Sequence, residues 1–265
     1  MENFGTDLRF AWRSLWKHSS LTLIAVAALA LGIGANTAIF SVVQAVLLKP
    51  LPFREPDRVL RLIDIGPKKV RGGATSPPDY ADWRAQNRVF SHLAAMGVEN
   101  VNLTGEGVPE RLFAGQVSGD FFGLLGVKPV LGRPLLPAED VVGAPNVAVL
   151  STRLWRRRFG GDPEVVGRRL VLNGEPTLIV GVMPPTLDLP RSVELWLPLR
   201  LVVKEEQRGG HYLGVIARLA PGVSLQRAQA EMTGIAERIG TLHPDTNTGW
   251  GVDLKPLQET MVADI

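Results

Sequence analysis

The feature that most constrains this sequence is an uncharged run at residues 21–48, with 28 consecutive positions free of Asp, Glu, Lys, Arg and His. A helix of this length extends ~42 Å at ~1.5 Å per residue, whereas the hydrocarbon core of a bilayer is ~30 Å thick. Fourteen of these residues are Leu, Ile, Val or Phe. At about −0.3 to −0.6 kcal/mol each, they favour membrane insertion by roughly 6 kcal/mol. The run therefore predicts one transmembrane helix.

A cleaved signal peptide is the competing interpretation of this run. Its apolar stretch is typically ~7–15 residues long and ends at a small-residue cleavage site. Here the apolar sequence continues through residues 39–43, beyond the small cluster at residues 32–35. We therefore favour a retained membrane helix.

Small residues recur at helical spacing within the run. They form two rows, one of Ala30, Gly34 and Ala38, and one of Ala28, Gly32 and Asn36. Small side chains at this spacing allow a second helix to approach closely, and an Asn can then hydrogen-bond across the contact. The rows predict a helix-packing surface, although Ala and Gly are also common in membrane helices generally.

Residues 1–20 precede the run and are predicted to form a cytoplasmic amphipathic helix. Apolar side chains fall on one helical face: Phe4, Leu8, Ala11, Trp12, Leu15 and Trp16. Trp at headgroup depth is typical of a helix on the membrane surface. A plain extension of the membrane helix is the alternative. Local charge does not settle the orientation, because residues 1–20 carry three Lys or Arg and residues 49–64 carry four.

Residues 49–265 have the composition of a water-soluble domain. They hold 26 Lys and Arg against 24 Asp and Glu, and no second uncharged apolar run reaches 18 residues. The net charge of the chain is only +3, and charges alternate in sign, so we expect no nucleic-acid partner. The absence of cysteine excludes disulfides, thiolate zinc sites and a cysteine nucleophile.

The local patterns in this domain predict a mixed α+β fold. Residues 59–65 have the pattern of a strand, Asn173-Gly174 is typical of a hairpin turn, and Ser76, Ser151 and Ser224 each stand where a helix N-cap is expected. A further strand is predicted over residues 211–219, and Ser118-Gly119-Asp120 is predicted to cap a short helix that runs to Leu125. We expect two lobes, with the chain passing between them within residues 90–205.

The sequence contains no recognisable catalytic or metal-binding pattern. It has no P-loop, HExxH or GxSxG motif, and its four histidines are scattered. We therefore expect no enzyme activity, no cofactor and no metal. Asp79 and Asp82 are interpreted as helix-capping, solvent-exposed carboxylates. The arginines of residues 153–158 are interpreted as a solvated helix face, with lipid headgroups or an acidic partner as the functional alternative.

Several short segments, in order along nearly the whole chain, resemble the permeases of MacB/FtsX-type ABC transporters with a MacB-like periplasmic core domain. The segments lie at residues 7–15, 31–43, 76–83, 120–127, 132–133, 154–163, 173–174, 180–185 and 217–224. Each segment alone is weakly specific, but their order and spacing make the resemblance specific.

The resemblance implies an N-terminus in the cytoplasm, one span in the bacterial inner membrane and a periplasmic α+β domain over residues 49–265. It also implies a cytoplasmic ATPase partner and a second permease copy or half. In this family, ATP-driven movement of the helices is relayed to the periplasmic domain, and no catalytic residues lie in this region. The function so implied is that of a permease component of an export or mechanotransmission system.

Permeases of this family have at least three further membrane helices after the periplasmic domain, and the sequence ends at Ile265. We therefore expect a fragment, a truncated reading frame or a split subunit. The alternative function is that of a standalone, single-pass binding or sensor module facing the cell envelope.

Overall fold

The computed structural model describes residues 12–13, 15–17, 19–43, 53–67, 72–105 and 107–263. The chain divides into two compact units, Met1–Lys49 and Pro50–Ile265. In the first unit, α1 (Ser19–Val43) covers most of the predicted span, and residues 44–48 lie outside the described residues. Within the described part of the chain, no helix meets the combined length and hydropathy that a membrane crossing requires. Of the predicted amphipathic helix, residues 12–13 and 15–17 are described, and they are helical.

Ten strands of the second unit form one sheet within the described residues. They are β1 (Val59–Ile65), β2 (Phe90–Thr104), β3 (Glu110–Val117), β4 (Leu131–Gly132), β5 (Val147–Ser151), β6 (Arg169–Leu172), β7 (Glu175–Met183), β8 (Leu195–Pro198), β9 (Gly214–Leu219) and β10 (Gly251–Pro256). The helices are α2 (Pro77–Gln86), α3 (Phe121–Leu125), α4 (Thr152–Phe159), α5 (Leu225–Leu242), α6 (Pro244–Asn247) and α7 (Leu257–Ala263). This content confirms the mixed α+β prediction.

The three longest described helices of this unit begin at the predicted serine caps. The hydroxyls of Ser76, Ser151 and Ser224 each accept a hydrogen bond from the backbone N–H three residues later, which satisfies a donor that the first helical turn leaves free. Between β6 and β7, Asn173 and Gly174 have φ angles of 50° and 85°, as a two-residue type I′ turn requires. The predicted hairpin and β1 are thus confirmed.

Two local predictions were wrong in detail. The strand expected from residue 211 begins at Gly214, which leaves His211 in the preceding loop, where it bonds to Asp64. Asp120 occupies the N-cap position of α3 but makes no side-chain cap bond. Its carboxylate instead accepts from Arg84 at 3.4 Å.

Six of the strands close into a small barrel. β2 pairs with β3, β3 with β8, β8 with β5, β5 with β7, β7 with β6, and β6 returns to β2. Inward-facing aliphatic side chains fill the interior, including Val101, Leu112, Leu150, Leu172 and Ile179. Leu154 of α4 belongs to the same core, so a helix contributes to the barrel packing.

Three of the remaining strands extend the sheet away from the barrel in the order β10, β1 and β9, with β9 paired to β2, and β4 pairs with β7. α2 and α5 cover one face of this open part through a core that includes Tyr80, Trp83, Met232 and Ile235. Because β2 belongs to both the open sheet and the barrel, the two expected lobes share one continuous sheet.

Candidate functional site

The predicted helix-packing residues lie along α1. Ala30, Gly32, Gly34 and Asn36 are exposed, and the side chain of Ala38 lies outside the described residues. A Cβ built on Gly32 or Gly34 meets no described atom within 4 Å. Among the described residues, no atom therefore crowds Gly32 or Gly34.

We predict that Gly34→Ile weakens association between membrane-embedded helices by about 1–2 kcal/mol, or roughly 5- to 30-fold, because a branched side chain prevents close approach. Insertion should be unaffected, because Ile is favourable in hydrocarbon. Self-association or crosslinking of the full chain in bilayers measures the effect, with Leu29→Ile as a control off both rows. Equal association of all three proteins would show that the rows face lipid.

The second unit contains a buried polar cluster that sequence reasoning missed. Its centre is Asp79, in the first turn of α2, which is only 3% exposed. Arg208 Nη1 donates to Asp79 Oδ1 at 2.8 Å, and Asn247 Nδ2 donates to both carboxylate oxygens at 3.0 and 3.1 Å. The expectation that Asp79 is solvent-exposed was therefore wrong, because the chain after residue 205 folds over it.

Arg208 joins three carboxylates. Besides Asp79, it donates to Asp82 Oδ2 at 2.8 Å and to Glu205 Oε2 at 2.9 Å, and it is only 4% exposed. Burial by itself would lower the pKa of Arg208, but the hydrogen bonds to Asp82 and Glu205 raise it above its usual value. Arg208 is therefore a charged cross-link between α2 and the loop before β9.

His211 and Asp64 form the other half of the cluster. His211 Nδ1 lies 2.9 Å from Asp64 Oδ2, and the imidazole stacks on Trp250 with ring centroids 4.0 Å apart. The bond to Asp64 raises the pKa of His211. Burial raises the pKa of Asp64, while the bond from His211 and the neighbouring Thr75 hydroxyl oppose that rise. The packing thus holds an imidazole and two buried carboxylates together.

The oxygen or nitrogen atoms that Asp64, Asp79 and His211 offer as ligands all lie within 4.8 Å of one another. This arrangement had no local sequence signal, because 147 positions separate Asp64 from His211. Only the pairing of β1 with its neighbours and the placement of α2 bring these residues together. The expectation of scattered histidines holds for the sequence, whereas the fold gathers His211 with two carboxylates.

The predicted arginine face of α4 makes specific contacts within the domain. Arg157 forms ion pairs with Glu110 and, at 2.6 Å, with Glu194. Arg153 donates to the Ser192 carbonyl at 2.8 Å. The side chains of Arg153, Arg156 and Arg157 remain exposed, as a solvated face predicts.

Comparison with known proteins identifies the family of this chain. The profile of the family described as MacB-like periplasmic core domain matches residues 22–235. The chain belongs to this family. Two relatives, the macrolide export ATP-binding/permease proteins MacB of Shigella dysenteriae serotype 1 and Escherichia coli K12, are each 23% identical over 244 residues. The match covers 88% of this chain and 37% of each relative.

Solved structures show the same fold at low identity. The periplasmic region of MacB from Actinobacillus actinomycetemcomitans matches with a TM-score of 0.56 at 15% identity, over 78% of this chain and 92% of that one. The extracellular domain of the noncanonic ABC-type transporter YknZ from Gram-positive bacteria matches with a TM-score of 0.54 at 12% identity, over 74% and 99%. These structures show a shared fold, and the family match over residues 22–235 confirms the resemblance to a MacB-like periplasmic core domain of the ABC permease family.

Proposed function

We propose that this chain is a permease component of an ABC-type export or mechanotransmission system that relays the motion of a cytoplasmic ATPase to its periplasmic core domain. The observation that carries the proposal is the continuity of the sheet from β1, the first strand after the membrane-proximal segment, to the closed barrel. Membership of the MacB-like family supports the same function.

The first and last strands of the domain are direct neighbours. β1 pairs antiparallel with β10, from Leu60 opposite Pro256 to Ile65 opposite Gly251. α7 follows β10 without a break and packs on both strands. A force applied to either end of the domain therefore acts on the same edge of the sheet.

The sheet carries such a force onward through β9 and β2. β1 pairs with β9, and β9 pairs with the first half of β2, from Phe90 to Met96. The second half of β2, from Met96 to Leu103, pairs with β3 in the barrel. Because one uninterrupted strand belongs to both parts, the barrel should move with the open sheet as a stiff body.

The proposed membrane attachment is the segment at residues 21–48, with residues 1–20 in the cytoplasm. Its support is the uncharged run of 28 residues and the exposure of large apolar side chains on α1, among them Leu23, Leu31, Ile33 and Phe40. Such side chains favour cover by lipid or by other helices. In this proposal the chain is single-pass in the bacterial inner membrane, and it works with an ATPase subunit and a second permease copy or half.

We predict that a label on the barrel part changes position with the nucleotide state. The chain has no cysteine, so Val142→Cys, at an exposed position, gives one reactive thiol in this chain. In intact cells, a membrane-impermeant maleimide should label it, because the domain faces the periplasm. In the permease assembled with its ATPase, a spin label there should show different distances between copies in the nucleotide-free and ATP-trapped states.

Identical distances in both states, with ATP hydrolysis intact, would refute the relay. Protection from the impermeant reagent, reversed by permeabilising the inner membrane, would refute the periplasmic placement. Leu242→Cys, exposed at the end of α5, is a matched second position for both measurements. If the domain moves as one body, the distances at Leu242 should shift in the same nucleotide step.

A further inference from the structure

We propose that Asp64, Asp79 and His211 form a binding site for one divalent transition-metal ion, with Zn²⁺ as the best match. These side chains come from β1, from the first turn of α2 and from the loop before β9. Their potential ligand atoms all lie within 4.8 Å of one another. Small adjustments therefore bring two oxygens and one nitrogen to the ~2.0–2.2 Å at which such ligands hold Zn²⁺.

An unpartnered hydroxyl beside the cluster gives a second, independent indication. Thr75 is 1% exposed, and its Oγ1 has no hydrogen-bond partner among the described residues. The hydroxyl lies close enough to the Asp64 carboxylate to lower its pKa. Buried hydroxyl groups normally have a hydrogen-bond partner. A water molecule bound to the metal ion would provide the partner that the Thr75 hydroxyl lacks among the described residues.

A small cavity lies against the two carboxylates. It has a volume of ≈ 10 Å³, and its lining includes Asp64, Asp79, Asn247 and Trp250. This is about the space of one water-sized probe. Because His211 is not among its lining residues, the cavity would hold the water that completes the coordination of the ion. Apolar side chains of α2 and α5, Trp83 and Ile239, close the other side.

The charges around the cavity favour a cation. Arg208 serves three carboxylates, those of Asp79, Asp82 and Glu205, and Asp64 adds a fourth. Asp82 and Glu205 are 32% and 66% exposed, so the buried carboxylates are those of Asp64 and Asp79. When His211 is neutral, Arg208 alone among the described residues faces these two buried carboxylates, and a divalent ion would supply the further positive charge that buried carboxylates require.

Neighbouring side chains hold the proposed metal ligands in fixed orientations, as they do in known metal sites. Arg208 and Asn247 donate to Asp79 and fix its carboxylate, while Trp250 fixes the plane of His211 by stacking. Such outer contacts commonly orient metal ligands.

The mixed donor set of one imidazole and two carboxylates suits Zn²⁺ and similar transition metals, whereas Ca²⁺ and Mg²⁺ prefer oxygen ligands alone. On binding, the ion replaces the proton between His211 Nδ1 and Asp64 Oδ2, and that proton is released to solvent.

The test uses the full chain in detergent micelles, purified with a histidine-free tag and stripped with a chelator. Titration with ZnCl₂ alone, followed by calorimetry and elemental analysis, should give one equivalent of tightly bound Zn²⁺. His211→Gln and Asp64→Asn should each weaken Zn²⁺ binding at least ~10-fold. Removing a residue that only supports a metal ligand already costs ~10-fold or more in metal affinity, and removing the ligand itself should cost more. His92→Gln is the control, because His92 is exposed and contacts only Ser91 among its described hydrogen bonds.

Absence of stoichiometric binding to the wild-type chain would overturn the proposal. Equal affinity of the wild type, His211→Gln and Asp64→Asn would also overturn it, because the ion would then bind elsewhere. X-ray absorption spectroscopy of the Zn²⁺-loaded wild type identifies the atoms that coordinate the ion and requires no variant. One imidazole with oxygen ligands supports the site, and a shell of oxygens alone or of several imidazoles refutes it.

Discussion

Replacing Arg208 with Met is expected to lower the free energy of unfolding by about 3–5 kcal/mol, because it leaves a buried carboxylate without its charge partner. Asp79 would keep only the Asn247 amide among the donors to its side chain in the described residues. Met matches the length of the Arg stem, so the loss of charge dominates over the loss of packing. Chemical denaturation of the full chain in micelles, monitored by circular dichroism with chelator present, measures the effect.

The matched control is Arg84→Met, because Arg84 also reaches an aspartate but lies at the surface. Arg84 Nη2 is 3.4 Å from Asp120 Oδ2, with both side chains substantially solvent-accessible. An exposed ion pair contributes about 0–1 kcal/mol. If both variants lose the same small amount of stability, Arg208 is not the cross-link that the structure indicates. Asp79→Asn/Arg208→Met should recover part of the loss, since it removes the unpaired charge as well.

Gly181→Ala should cost about 3 kcal/mol, at the top of the range for forcing extra atoms into a packed interior. A Cβ on Gly181 would lie 2.2 Å from the Arg133 carbonyl oxygen, which belongs to backbone and cannot rotate away. The opposing Gly132 is equally tight, with a Cβ position 2.3 Å from the Val180 carbonyl oxygen. β4 pairs with β7 at this point, so the clash should separate the two strands.

Gly123→Ala tests the opposite case in the same protein. Gly123 lies within α3, and a Cβ there meets no described atom within 4 Å. Because Ala restricts the unfolded chain more than Gly does, this change should stabilise the protein by about 0.4–1 kcal/mol. Urea midpoints of the two variants should therefore move in opposite directions. A neutral Gly181→Ala would mean that β4 is not held against β7 in solution.

The elements that sequence analysis located correctly are those whose signals are local. A serine hydroxyl reaches an N–H three residues later, so Ser76, Ser151 and Ser224 mark helix starts wherever those helices pack. Asn173 and Gly174 likewise adopt positive φ angles because of their own backbone preferences. β1 was predicted with the bounds that the structure shows, since its apolar pattern and flanking turns lie within a few residues.

The closed barrel was not predictable in the same way. Its closure depends on the pairing of β2 with β6, where Leu103 lies opposite Leu172. Nothing within either strand specifies its neighbour, because both present similar aliphatic side chains to the interior. The pairing is selected by the packing of six strands together, so it becomes visible only once the chain has folded.

The sequence by itself determined the uncharged run at residues 21–48, the α+β character of the following domain and the order of segments that marks a MacB-like permease. These depend on composition and on contacts between near neighbours in the chain. Tertiary structure decided the environment of Asp79. A side chain at the third residue of α2 can be either exposed to solvent or buried. Its partners Arg208 and Asn247 lie 129 and 168 positions away. Charge pairing over such separations depends on how whole elements pack, and no local pattern encodes it.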